Sequence, residues 1–218
     1  MRNLFTEPLW KAEDLGKPIP DVRHACSVCI PTWEHVIDYE EGRDKVTRAL
    51  QSGYPRFVLH PDVSALFAKV RGEYANADQD VMVYPSREAA QRAQRFLELQ
   101  NAKALEIMFF KGVFVLVFPK DAYNQAKLFW RYTGEGVSSR LAQRILAGRE
   151  AEEAVADVRS EFAKFYGGAE EDMHLWQSGM SAIYAAHRYT RNERPTKKSL
   201  QVEFPYVCLL YTSDAADD

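Results

Sequence analysis

Between Asp80 and Phe118 the chain alternates strand-like and helix-like apolar patterns so closely that few folds can accommodate it. Asp80-Val81-Met82-Val83-Tyr84 is a short apolar run, stopped by Pro85-Ser86, and reads as a strand. Ser86 stands where an N-cap belongs, and Ala89, Ala93, Phe96 and Leu97 recur at helical spacing, which predicts a helix through Gln100. Ala104 to Phe110 and Val113 to Phe118 read as two further strands joined around Lys111-Gly112. The unit is β-α-β-β. Strands this continuously apolar are expected to be covered on both faces, or nearly so. Such a unit is scaffold, and no chemistry is assigned to it.

The flanks are mainly helical. Glu40 to Leu50 reads as a short helix with Val46, Ala49 and Leu50 apolar, and Gly53-Tyr54-Pro55-Arg56 ends it before a strand stub at Phe57-Val58-Leu59. His60-Pro61-Asp62 starts a helix with Val63, Leu66, Phe67 and Val70 on one face. Further on, helices are expected over Asp121–Tyr132, Ser138–Leu146 and Glu150–Tyr166, the last with Val155, Val158, Phe162 and Phe165 on one face. Gly134-Glu135-Gly136 interrupts them as a loop, and Gly167-Gly168 is a hinge before the acidic Glu170-Glu171-Asp172. Residues 1–31, punctuated by Pro8, Pro18, Pro20 and Pro31, read as an irregular arm over the surface.

Composition excludes several classes of partner. With 46% hydrophobic and 27% charged residues the chain is globular. The first residues carry charge and proline too early for a signal peptide, and the longest apolar run, Val113 to Phe118, cannot span a bilayer, so a cytoplasmic protein is expected. The formal charge of -3 resides in Asp214, Asp217 and Asp218; without them acids and bases balance, which points away from nucleic acid and anionic membranes. His24-Ala25-Cys26-Ser27-Val28-Cys29 offers half of a zinc site or a redox pair, with His35 as a further donor. The pattern lacks a second ligand pair, so no metal is assigned, and two small, partly buried cysteines are the alternative. Arg56 is read as an ion-paired surface arginine or an anion contact.

One stretch points to binding. Met173 to Trp176 reads as a strand that runs through Ser178-Gly179 into a helix, where Met180, Ile183, Tyr184 and His187 share a face and Ser178 is the N-cap. The first N–H groups of a helix lack internal partners and sit at the positive end of its dipole, which makes an anion site, most naturally for a phosphate, where Gly179 admits close approach. An ordinary capped helix after a strand is the alternative. Ser199-Leu200-Gln201-Val202-Glu203-Phe204 alternates as a strand, with Tyr206 at its end.

These residues carry a resemblance. Ser178-Gly179-Met180-Ser181-Ala182, with Phe204-Pro205-Tyr206-Val207, resembles the Cys/Met-metabolism family of pyridoxal-phosphate (PLP) enzymes, in particular the fungal type of cystathionine γ-synthase with a long N-terminal extension. Pro20-Asp21-Val22-Arg23-His24-Ala25, Pro31-Thr32-Trp33-Glu34, Gly53-Tyr54-Pro55-Arg56-Phe57 and Thr133-Gly134-Glu135-Gly136-Val137-Ser138-Ser139-Arg140 resemble that extension. The fold so implied is α/β: an α+β extension followed by the beginning of a fold-type I, aspartate aminotransferase-like large domain. It divides the chain into an arm (1–31), an extension domain (32–165), the start of the PLP domain (166–207) and a tail (208–218) that resembles read-through of a sequencing adapter.

The resemblance also implies an activity. It is γ-replacement on O-acylhomoserine by cysteine, in transsulfuration and methionine biosynthesis, by a homo-oligomer with PLP as cofactor. Ser178, Gly179 and Met180 would hold the phosphate, and Tyr206 would stack on the ring or serve in packing. The Tyr-x-Arg pair that the family supplies across subunits is rearranged here to Trp130-Arg131-Tyr132, leaving Arg131 as its candidate. The family's lysine and aspartate lie beyond Val207, so no catalytic residue is assigned and the 218 residues are expected to be inactive by themselves. O-acylhomoserine sulfhydrylation, γ-elimination and a non-catalytic binding or assembly module are the alternatives.

Overall fold

In a computed structural model, which describes residues 3–53, 58–103, 105–150, 155–198, 200 and 202, the centre is a three-stranded antiparallel sheet. β3 (Gln79–Tyr84), β4 (Glu106–Phe110) and β5 (Val113–Pro119) lie in the order β3-β5-β4. The register runs from Gln79 opposite Pro119 to Tyr84 opposite Phe114, and from Glu106 opposite Val117 to Phe110 opposite Val113. Lys111 and Gly112, both at positive φ, join β4 to β5 in the two-residue geometry that matches strand twist. Helix α4 (Arg87–Leu99), capped by Ser86, packs Ala89, Ala90, Ala93, Phe96 and Leu97 onto the sheet. Helix α3 (Pro61–Tyr74) adds Val63, Leu66, Phe67 and Val70.

Coverage is uneven across the sheet. Consecutive residues are buried in the central β5 and in the edge strand β3, as both faces being covered requires, whereas the other edge strand, β4, leaves Phe109 exposed. An ion pair from Arg71 to Asp80, at 2.6 and 2.8 Å, ties the last turn of α3 to the start of β3. Helices α5 (Tyr123–Thr133) and α6 (Ser139–Leu146) complete the core with Ala126, Phe129, Ala142 and Ile145.

The N-terminal region differs from its reading. A two-residue ladder joins β1 (Pro18–Ile19) to β2 (Ser27–Val28), the helix expected over 40–50 forms over a shorter span as α2 (Asp44–Ala49), and a helix that was not expected, α1 (Trp33–Glu40), precedes it. The buried face of α1 carries His35 and Asp38, with Asp38 paired to Arg43 at 2.8 Å, so apolar periodicity could not reveal it.

Two further expectations fail. Met173 to Trp176 is not a strand: a 3-10 turn at Glu170–Asp172 precedes it, and none of the described residues pairs with it, so no ladder forms. Helix α7 (Val155–Tyr166) exists but faces the other way, with Ala163 inward and Val158, Phe162 and Phe165 outward, Phe165 at 81% exposure. The expected strand over 199–204 lies outside the described residues apart from Leu200 and Val202, both exposed. Helix α8 (Gly179–Glu193) forms as its cap predicts. No helix among the described residues is long and apolar enough to cross a membrane.

Candidate anion site at the start of helix α8

The start of α8 is built by serines. Ser178, extended at φ -148°, accepts from the Ser181 N–H at 3.1 Å, while Ser181 Oγ accepts from the Ser178 N–H at 3.0 Å. This reciprocal box consumes the third N–H of the helix. The N–H groups of Gly179 and Met180, at the first two positions, have no intrahelical carbonyl to meet. Gly179 is exposed, and a Cβ placed on it would meet nothing within 4 Å, so an anion can reach this backbone. The donors, the helix dipole and the open approach fit a phosphate group.

The buried face of α8 is Ser181 and Tyr184, not the full set Met180, Ile183, Tyr184 and His187. Ile183 is exposed and His187 half-buried, its Nε2 without a hydrogen-bond partner among the described residues. The Tyr184 ring meets Phe129 edge-on at 6.4 Å. Burial raises the pKa of Tyr184 and the nearby Glu135 carboxylate raises it further, so its hydroxyl stays protonated.

The helix start rests on the segment 133–140. Gly134 ends α5 in the left-handed conformation at φ +65°, and its bare Cα lies against α8: a Cβ there would come 2.7 Å from Ser178 Oγ and 2.8 Å from Met180 Cβ. Glu135, 5% exposed, is held by Arg92 of α4 at 2.8 and 2.5 Å, and its N–H donates to Thr133 Oγ1 at 3.1 Å. Gly136 lies against the Trp130 ring, Val137 enters the core, and Ser138 caps α6 by accepting from Leu141 N–H. What read as a loop is a junction of three helices. Arg131 lies on the last turn of α5; burial lowers the pKa of Lys127, and the Arg131 charge lowers it further. Tyr206 and Arg56 lie outside the described residues.

The candidate metal residues do not assemble as their spacing offered. Cys26 is exposed; Cys29 is buried, donates to the Leu9 carbonyl at 3.5 Å, and has its pKa raised by burial, which disfavours the thiolate. His24 instead joins His60 and Asp62, whose ligating atoms lie within 4.8 Å of one another. All three are engaged. His24 meets Ser139 Oγ at 3.0 Å and Gln143 Oε1 at 2.9 Å; His60 Nδ1 accepts from Asp62 N–H at 3.1 Å, and its Nε2 donates to the Arg23 carbonyl at 2.6 Å. Arg23 grips the Asp62 carboxylate at 2.7 and 3.0 Å and would repel a cation. The cluster is a latch that fastens the arm to α3 and α6.

That latch has an acid-sensitive part. The hydrogen bond from Arg23 holds the Asp62 carboxyl below its usual range, so the folded pKa lies below the unfolded value of about 3.9. Its contribution is present above the unfolded pKa and lost as pH falls through the folded one. Asp62→Asn is therefore expected to lower stability at pH 7 and to flatten the acid loss below about pH 4. Urea midpoints at both pH values check this; parallel curves for the two proteins would contradict it.

Comparison with known proteins adds family context. Residues 62–138 match the model described as the fungal trans-sulfuration enzyme N-terminal domain. A Saccharomyces cerevisiae protein provisionally named a cystathionine gamma-synthase is 39% identical over 155 residues, 62% of this chain and 24% of the relative. The Neurospora crassa cystathionine gamma-synthase is 32% identical over 158 residues, 60% of this chain and 25% of its own. An L-2-amino-4-chloropent-4-enoate dechlorinase/desaturase from Streptantibioticus cattleyicolor is 33% identical over 204 residues, 88% of this chain and 41% of that one. The chain thus spans about a quarter of the length of the two fungal relatives. No solved structure matches.

Proposed function

We propose, taking residues 62–138 as the N-terminal domain of a fungal-type trans-sulfuration enzyme, that the chain is the N-terminal portion of a PLP-dependent transferase. The observation that carries the reading is the start of α8, where the first two N–H groups have no intrahelical acceptor and the exposed Gly179 leaves the approach clear. The substrate class proposed is an α-amino acid with a leaving group at Cγ. A γ-synthase is named for replacement at that carbon, and 4-chloropent-4-enoate bears its chlorine there. The reaction proposed is γ-replacement on O-acylhomoserine by cysteine, in the cytoplasm, by a homo-oligomer whose large domain is fold-type I.

When bound, PLP supplies an electron sink for charge developed at the amino-acid carbons. The chain's own part is grip. Gly179 and Met180 N–H groups donate to the phosphate, and Ser178, locked to Ser181, keeps the first turn from fraying. Tyr206 is proposed to cover the ring. Proton transfer is assigned to sequence beyond Val207, so residues 1–207 bind and orient without turning over substrate. The match over 88% of the chain to a dechlorinase/desaturase favours a second reading, γ-elimination in place of γ-replacement.

Gly179→Val tests the grip. An added side chain has room in the structure, so the variant of the full-length gene product should fold normally. Its PLP affinity, followed through the absorption of bound cofactor, is expected to fall about tenfold or more, as the loss of one charge-assisted hydrogen bond entails. Undiminished affinity would remove α8 from the cofactor site.

A further inference from the structure

The donors at the start of α8 are useful only if the helix is held where they point, and a partly buried ion pair between Arg92 and Glu135, 43 residues apart in sequence, sets that position. We infer that Arg92 and Glu135 are positioning residues for the anion site, by which the N-terminal domain fixes the phosphate-binding turn; the inference rests on the phosphate reading of α8.

The chain of contact is short. Arg92 projects from α4, whose apolar face is buried in the core with residues of β3 and β5, so the guanidinium is carried by an element packed on the sheet. Its Nε and one terminal nitrogen donate to the two oxygens of Glu135, a two-point grip that fixes the carboxylate in direction as well as distance. Glu135 lies one residue after Gly134, and Thr133 Oγ1 accepts from its N–H while donating to the Phe129 carbonyl at 2.8 Å. The backbone between Thr133 and Glu135 therefore has little freedom. Gly134 then meets the helix start: its Cα faces Ser178 Oγ and Met180, and its carbonyl lies 3.5 Å from Ser178 Oγ. Moving Glu135 moves Gly134, and moving Gly134 moves the turn that carries the Gly179 and Met180 N–H groups.

A stabilising role by itself is a poor explanation for such a pair. A buried ion pair contributes little net stability relative to apolar side chains of similar volume, while its geometry is specific. The Glu135 carboxylate also reaches two tyrosines that meet Phe129 edge-on: burial raises the pKa of Tyr84 and of Tyr184, and the carboxylate adds to both shifts.

The test uses the 218-residue chain and inorganic phosphate as probe. Amide resonances of Gly179 and Met180 are followed during titration in the parent, in Glu135→Gln, and in the double variant Arg92→Met/Glu135→Leu. The last leaves no unpaired charge and should melt close to the parent. Both variants are expected to bind phosphate at least about tenfold more weakly. If Glu135→Gln fails to fold, the double variant decides; phosphate binding by it equal to the parent would overturn the inference. If the parent shows no phosphate response, the anion reading fails by itself. Positioning is then read from amide exchange in the first closed turn, Ala182 to Tyr184, expected about tenfold faster in the double variant while β3 and β5 amides are unchanged. Unchanged protection at Ala182 to Tyr184 would overturn it.

Discussion

Phe129→Ala is expected to cost about 3–5 kcal/mol, the range for deleting a fully buried aromatic side chain. Phe129 is 1% exposed and meets three rings from three elements. Tyr84 of β3 lies 6.0 Å away edge-on, Phe96 of α4 at 5.6 Å, and Tyr184 of α8 at 6.4 Å edge-on. Truncation removes apolar contact from all three and leaves a cavity beside the buried Tyr84 ring, whose hydroxyl has no hydrogen-bond partner among the described residues. Two readouts should move together: the urea midpoint, and the protection of α8 amides, which depend on the Tyr184 contact. A loss below about 1 kcal/mol would mean that the site can collapse, and that this ring does not join the sheet to α8.

Gly134→Val is expected to cost about 3 kcal/mol or more, from two causes that can be separated. At φ +65° a β-branched residue is strained whatever surrounds it. Its Cβ would also come 2.7 Å from Ser178 Oγ, 2.8 Å from Met180 Cβ and 3.1 Å from Ser181 N, which is backbone and cannot step aside alone. Gly148 supplies the control. It has φ +82° but nothing within 4 Å, so Gly148→Val carries the backbone strain, about 1–3 kcal/mol, without the collision. The difference between the two variants in urea denaturation measures the contact of the junction with α8. Equal losses would show that α8 yields freely and that Gly134 does not support it.

The elements legible in the sequence are those whose buried face is apolar and periodic. Helix α3, strand β3, helix α4 and strand β5 show this, and Val63-Leu66-Phe67-Val70 falls in the core as its spacing says. Helix α1 escaped because it buries His35 and Asp38, polar residues whose burial depends on partners such as Arg43. Helix α7 was legible as a helix but not in its orientation, since periodicity identifies an apolar face and cannot say what, if anything, covers it. Met173 to Trp176 was read as a strand from local pattern, yet a strand exists only through a neighbour.

The candidate site divides in the same way. The cap Ser178 is a local signal, and the structure forms it. Its support was not readable. Gly134 is 44 residues from Ser178, and Arg92 is one of several arginines on α4, distinguished from Arg87 and Arg95 only by the carboxylate it reaches. The one clue was the crowding of Glu135 between two glycines, an acid placed where a loop needs none.

That α8 opens a PLP-binding domain is tested by reading the source DNA onward from codon 207. The expected result is a frame that continues in place of residues 208–218, with an aspartate at a strand end to meet the pyridine nitrogen and, further on, a lysine in a Ser-x-Thr-Lys-like run. A confirmed Cys208-to-Asp218 tail followed by a stop would contradict it, leaving α8 with a phosphate site and no cofactor chemistry to serve.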